Sequence, residues 1–303
     1  MDWYQFRSRQ SHEELRNLIA EAFIEDGLAC PLEWAREAGR GGFACWDVCS
    51  MGGRRLGHVA WGGGSVAGWA HVTLTGQGCG MVGDWTAFDA YIRRQVSDLQ
   101  FRRVDLAIDT LDGSVTYEGT EAAWEVGGFD PVRGPRPRRD RKGYPENGRT
   151  FEVGSRKDSD RFHRGYEKGL QMGFHPWGEG FEPRLWFRNE VEMKPANGPI
   201  SLDVVAEREA FFAGAAPYLA QLVACSDGRR SPRDPLGDIA AEVSEAVRHL
   251  RRSAGPSLHV LLSVYGSPQA LIDALTSGVT PSARLLEAGA AILDRADLAR
   301  FGV

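Results

Sequence analysis

The 303-residue chain reads as an α+β protein, an antiparallel β-sheet core with flanking helices followed by a helical C-terminal region. Three observations predict this class. Apolar and polar residues alternate with period two in short runs such as RVDLAID (103–109) and RNEVEMK (188–194), the pattern of a strand with two unlike faces. Other stretches, such as HEELRNLIAEAF, repeat apolar residues at helical spacing. The regular strand–helix alternation of a doubly wound parallel sheet is missing.

Residues 11–26 are expected to form a helix, because Ser11 and Glu14 make a capping box and Leu15, Leu18, Ile19, Ala22 and Phe23 make an apolar stripe. Short strands are expected around 43–50, 55–62 and 69–75, separated by glycine clusters. TAFDAYIRRQVSDL (86–99) reads as a helix leading into a strand at 103–109. RGPRPRRDRKG (133–143) is rich in proline and glycine and reads as a loop. Strands near 150–154 and 161–168, joined as a hairpin by SRKDSD, precede another at 184–193. Helices are then expected at 203–224 and, beyond a polar linker at 227–235, at about 238–252, 268–276 and 281–298. The implied organisation is an N-terminal helical segment (1–42), a central domain (43–225) and a helical region (236–303).

Composition narrows the class. No apolar run approaches the length of a membrane span, and MDWYQFRSRQ lacks the basic and apolar regions of a secretion signal. Five irregularly spaced cysteines fit a reducing cytoplasm better than a disulfide framework. The net charge of −5 hides an asymmetry: residues 131–170 hold twelve Lys or Arg against six Asp or Glu. Electrostatic recognition depends on where charge lies, so a basic loop can serve a polyanion despite the total. Arg136, Arg138, Arg139, Arg141 and Lys142 in that loop, with Arg156 and Lys157 in the following hairpin, are the candidate nucleic-acid contacts.

RFHRGYEKG (161–169) carries the most chemistry. On a strand over 161–168, Arg164, Tyr166 and Lys168 share one face. A tyrosine between two cations suits a phenolate attacking a phosphodiester, since the cations hold the phosphate, favour ionisation and stabilise the charge that develops. Asp105 and Asp109 share a face of RVDLAID, as do Arg188, Glu190 and Glu192 of RNEVEMK. Acidic residues are disfavoured in strands, and oxygen-only ligands suit a hard divalent cation such as Mg²⁺ or Mn²⁺. Together the groups describe metal-assisted transesterification of DNA.

These three motifs, in this order and spacing, resemble the replication initiation factors of filamentous phages and rolling-circle plasmids. The resemblance runs from about residue 45, through VTLTGQGC, to REAFFAGAAPYLAQL near 225. It implies a fold related to HUH-type nickases and a cytoplasmic enzyme of a bacterial host that nicks and rejoins one DNA strand at an origin. It further implies Tyr166 as nucleophile, Lys168 and Arg164 as its phosphate-facing neighbours, and Asp105 and Glu190, with Asp109 and Glu192, as metal ligands. The implied partners are origin DNA, single-stranded or in a hairpin at the nick site, a host helicase and polymerase, and, in a homo-oligomer, a second copy of the chain, with no membrane. Gly165 and Glu152 depart from the family pattern, where an apolar and an aromatic residue are usual; the glycine would loosen the tyrosine strand.

Other readings compete with this one. A DNA-binding regulator that keeps the fold without catalysis is the non-enzymatic one. Gly78-Cys-Gly80-Met-Val-Gly83 satisfies a dinucleotide-binding G-x-G-x-x-G, with Asp105 near the place of a ribose-binding acid. Its expected role is a tight turn. Cys30, Cys45, Cys49 and Cys79 lack zinc spacing, and no H-x-H pair occurs, which favours a carboxylate-based site over a histidine-based one. Trp3, Tyr4, Trp46, Trp61, Trp69 and Trp85 are either core residues or stacking platforms for unpaired bases.

Overall fold

Ten strands make one antiparallel sheet in the computed structural model, which describes residues 1–278 apart from 29–30, 65, 67, 133, 173–181, 197, 224–227, 230–249 and 251–253. They are β1 (Trp3–Ser8), β2 (Glu33–Ala38), β3 (Cys45–Met51), β4 (Arg54–Trp61), β5 (Ala70–Leu74), β6 (Gln100–Thr110), β7 (Arg139–Lys142), β8 (Thr150–Val153), β9 (Arg161–Tyr166) and β10 (Phe187–Met193). Their spatial order is β2-β3-β4-β5-β1-β6-β10-β9-β8-β7, with β1, β6 and β10 at the centre. Neighbouring strands all run antiparallel, so the sheet has no βαβ unit. That removes the dinucleotide-fold alternative.

Period-two alternation gives the sheet two unlike faces. Tyr4, Phe6, Val104, Leu106, Phe187 and Val191 point to the apolar face. There they share a core with Leu15, Ile19 and Phe23 of helix α1 (His12–Glu25) and Phe88 and Ile92 of a later helix, Trp85–Gln95. The α1 capping box forms as expected, with the Ser11 amide donating to Glu14 Oε2 at 2.8 Å and the Glu14 amide to Ser11 Oγ at 3.2 Å. The opposite face carries the charged residues.

Several expectations need correction. Residues 1–42 are not a separate helical segment: β1 and β2 lie in the sheet, and the compact unit runs from Met1 to Pro232. A helix follows β1 so closely that the strand is masked in the sequence, yet Trp3, Gln5 and Arg7 alternate with the buried Tyr4 and Phe6. GQGC is one short helical turn, α2 (Gly76–Cys79); a Cβ on Gly78 would lie 2.2 Å from the Leu56 carbonyl oxygen, so the glycine permits close backbone approach. After α3 (Trp85–Gln95) and β6 comes an unexpected helix, α4 (Tyr117–Glu125), capped by Thr116. The end of the basic loop is strand β7. The single helix expected at 203–224 is broken into a 3-10 turn, Leu202–Val204, and two short helices, Arg208–Ala213 and Pro217–Leu222. Pro217 cannot continue a helix and holds Ala216 extended. These two follow α5 (Lys168–Met172) and are α6 and α7.

The second unit spans Arg233–Val303. Its described helices are α8 (Gly255–Tyr265), which was not expected, and α9 (Pro268–Thr276), which was; α9 is capped by Ser267. The helix expected at 281–298 lies outside the described residues, and so does nearly all of the one at 238–252.

Candidate active site

The polar face converges on Tyr166. In register, Tyr166 on β9 lies opposite Arg188 on β10, which lies opposite Asp109 on β6. One step along, Arg164 faces Glu190, and a further step brings Glu192 opposite Asp105. The spacing of the three motifs thus places one tyrosine, two arginines and four carboxylates on adjoining strands.

Tyr166 is 7 % exposed, and its hydroxyl donates to Glu190 Oε2 at 3.2 Å. Arg164 Nη2 donates to the other Glu190 oxygen, Oε1. Burial and the Glu190 carboxylate push the phenol well above its ordinary value, against the pull of Arg188 and Arg164. This reverses the expectation that the flanking cations favour ionisation. The Arg164 charge lies on Glu190, leaving the phenol beside a negative oxygen in a partly dry site.

Lys168 corrects a second expectation. The strand ends at Tyr166, so Lys168 opens α5 and does not share the strand face. The helical turn still brings its Nζ to 5.5 Å from the Tyr166 ring centroid. Burial, with Arg188 adding to it, lowers the pKa of its ammonium.

The carboxylates separate into two sets. Asp105 (1 % exposed) and Glu190 (1 %) are buried diagonal neighbours on β6 and β10, since Glu190 lies opposite Ala107. Burial pushes Asp105 up to about 7; Arg103 opposes the rise and Glu190 adds to it. Arg103 Nε donates to Asp105 Oδ1 at 2.8 Å, and its Nη2 lies 2.9 Å from Glu192 Oε2. Glu192 is further held by Arg156 at 3.2 Å and Lys194 at 3.0 Å. Asp109 is claimed by Arg188, at 2.7 and 2.6 Å, and by the Trp186 indole at 2.6 Å. The four carboxylates therefore do not form one cluster, and no group of three or more acidic, histidine or cysteine side chains among the described residues is arranged for a metal. What the structure brings together is the Asp105–Glu190 pair. Two neighbouring buried carboxylates fit a hard divalent cation, which commonly binds through one or two carboxylates and completes its shell with water and phosphate.

Arg188 was not singled out from the sequence, although it lies on the same face of RNEVEMK. It bridges Asp109 and Asp2, the latter at 2.6 Å, and sits opposite Tyr166. A Cβ on Gly165 would come within 3.1 Å of the Phe187 ring, so the glycine lets that ring pack beneath the tyrosine strand. Glu152 forms an ion pair with Lys142 at 2.5 Å. His163 lies on the apolar face, with Nε2 3.0 Å from Asn189 Oδ1 and its pKa lowered by burial to about 4.

Most of the expected DNA-contacting cations are already matched with carboxylates. Arg136 pairs with Asp130 at 2.8 Å, Arg139 with Glu125 and Arg141 with Glu121, and Arg156 and Lys142 are held as described. Arg138 and Lys157 are exposed, and no ion pair involves them among the described residues.

Fold and site define an α+β protein whose charged sheet face is built round a single tyrosine. Residues 99–233, which hold β6 to α7 with Tyr166, Arg164, Arg188 and the four carboxylates, match the family model described as replication initiation factor. The match suggests a part in the initiation of DNA replication. No curated protein matches the chain closely enough to name as a relative. No described helix is long and apolar enough to cross a membrane.

Proposed function

We propose that the protein nicks and rejoins one DNA strand at a replication origin, with Tyr166 as the nucleophile. The observation that carries this reading is the Tyr166 hydroxyl held by Glu190 between Arg164 and Arg188, inside the family-matched segment. The Tyr166 oxygen attacks the scissile phosphorus and its proton passes to Glu190. The new O–P bond forms as the bond to the 3′ oxygen breaks; that oxygen takes up a proton from water and leaves as a 3′-hydroxyl, and Glu190 returns its proton to solvent. The 5′-phosphate remains on the tyrosine. Reversal of the same steps rejoins a strand.

Lys168 and Arg188 border the tyrosine and supply positive charge to the phosphate oxygens. Asp105 and Glu190 are the residues that would hold Mg²⁺ or Mn²⁺, and the ion when bound would supply further charge to polarise the phosphate. The high phenol pKa describes the protein without DNA. A divalent cation held by the pair would offset the Glu190 charge that now disfavours the phenolate.

The direct test is incubation with supercoiled origin plasmid and Mg²⁺ or Mn²⁺, followed by a search for a protein–DNA adduct that survives denaturant. An adduct on Tyr166 supports the reading. Origin binding with no adduct and no nick under any metal condition would leave a non-catalytic regulator of the same fold.

A further inference from the structure

The polar face continues past the tyrosine onto β1 and β5, outside the family-matched segment, and there its charges are unanswered. Arg7 on β1 and Arg9 just beyond it both stack on the Trp69 ring, with guanidinium carbons 4.2 and 5.0 Å from the centroid. Arg102 joins them through a bulge: the β1–β6 register shifts between Gln5 and Phe6, so Arg102 is the extra residue and is turned toward Arg7 and His71. Arg7 donates only to the neutral Gln100 side chain, at 2.9 and 2.7 Å. The nearby Asp98 carboxylate accepts from the Ser8 hydroxyl and the Arg9 amide, not from a guanidinium. None of the three arginines has an ion-pair partner among the described residues. Burial, aided by Arg102 and Arg7, lowers the pKa of His71 to about 4.

Like charges without counterions, two of them half-buried (Arg7 and Arg102), are unfavourable unless an anion completes them. Trp3, with Arg103 stacked 4.4 Å above it, continues the basic and aromatic character toward the tyrosine. We propose that Arg7, Arg9 and Arg102, with Trp69 beneath the first two, bind the backbone and a base of single-stranded DNA running across the open face toward Tyr166. The identity of the polymer as DNA rests on the nicking reading above. Strand spacing and rise separate the cluster from Tyr166 by roughly 25–30 Å. Such a span suits a short single-stranded tract, within the range of about 4–16 nucleotides for which grooves with stacking aromatics are known.

The test is fluorescence anisotropy of a labelled oligo(dT) of about 20 nucleotides over a salt series, with Tyr166→Phe protein so that no adduct forms. Arg7→Gln, Arg9→Gln and Arg102→Gln combined should weaken binding and flatten the log–log salt slope by about 2, at roughly 0.7 for each phosphate no longer neutralised. Arg9→Gln alone changes an exposed side chain, spares the fold and should flatten it by about 0.7. Trp69→Ala should weaken binding about five-fold or more while leaving the slope unchanged, as expected when base stacking is removed. The proposal is overturned if the parent does not bind the oligonucleotide. It is equally overturned if the single and triple arginine variants, folded by circular dichroism, bind with unchanged affinity and slope. Arginine-dependent oligonucleotide binding, together with no adduct when the protein that keeps Tyr166 is incubated with origin plasmid, would sink the nicking reading alone; an adduct on that plasmid with arginine-independent binding would sink this one alone.

Discussion

Around β9 and β10 opposite charges meet in pairs: Arg164 with Glu190, Arg188 with Asp109 and Asp2, and Arg103 with Asp105 and Glu192. On β1 and its neighbours Arg7, Arg9 and Arg102 meet other cations and a tryptophan instead. Both regions lie on one face of one sheet, so the difference is not one of fold. Paired charges hold side chains in fixed positions, which chemistry at a single phosphorus requires. Unpaired ones are free to exchange water and counterions for phosphates, which suits a contact that must accept any sequence. In the basic loop, the obvious DNA contact by composition, Arg136, Arg139 and Arg141 belong with the first group. A phosphate arriving there has to displace the carboxylates of Asp130, Glu121 and Glu125.

The largest expected effect is Tyr166→Phe, which keeps the ring and deletes the attacking oxygen. The covalent adduct should vanish while DNA binding persists; adduct formation by this variant would move the nucleophile elsewhere, with Tyr144, 72 % exposed, the next candidate.

Asp105→Asn and Glu190→Gln come next. Each keeps shape and removes a charge, and each should slow cleavage by about 100-fold or more, the scale for removal of one preorganised group at a reacting phosphate. Excess chelator should stop the parent protein. Full cleavage in chelator would show that the pair holds no cation.

A third pair of variants compares the two regions through stability. Arg164→Gln strands the buried Glu190 carboxylate and should destabilise by about 3 kcal/mol, the lower end for breaking a buried ion pair. In a unit of this size that corresponds to a fall of roughly 6–12 °C in Tm. Arg102→Gln removes an unmatched cation and should leave Tm unchanged or raised. Equal destabilisation in the two variants would erase the distinction between paired and unpaired regions.

The smallest effect should come from replacing Arg136, Arg138, Arg139 and Arg141 together by Ser. Three of these are matched by carboxylates, so origin affinity in a gel-shift titration should change no more than about two-fold, and the salt slope by less than about one. A slope change near four would return the loop to the DNA path.

Much was legible from the residues alone where the signal is local. Period-two alternation exposed β6 and β10 with their carboxylates on one face, and the Ser11–Glu14 box with its apolar stripe defined α1. Tyr166 and Arg164 share a strand face as the alternation predicts. Local pattern was silent where neighbours decide. β1 is a six-residue run whose central place depends on pairing with β5 and β6, and nothing within those six residues encodes the partners. Lys168 left the strand because the chain turns into α5 directly after Tyr166, two residues sooner than the pattern suggests. The state of each charge is likewise a tertiary property. Sequence supplied arginines to the basic loop and to β1 alike, but Coulomb energies depend on distance and burial; only the folded chain brought carboxylates to Arg136, Arg139 and Arg141 and, among the described residues, left Arg7, Arg9 and Arg102 without them.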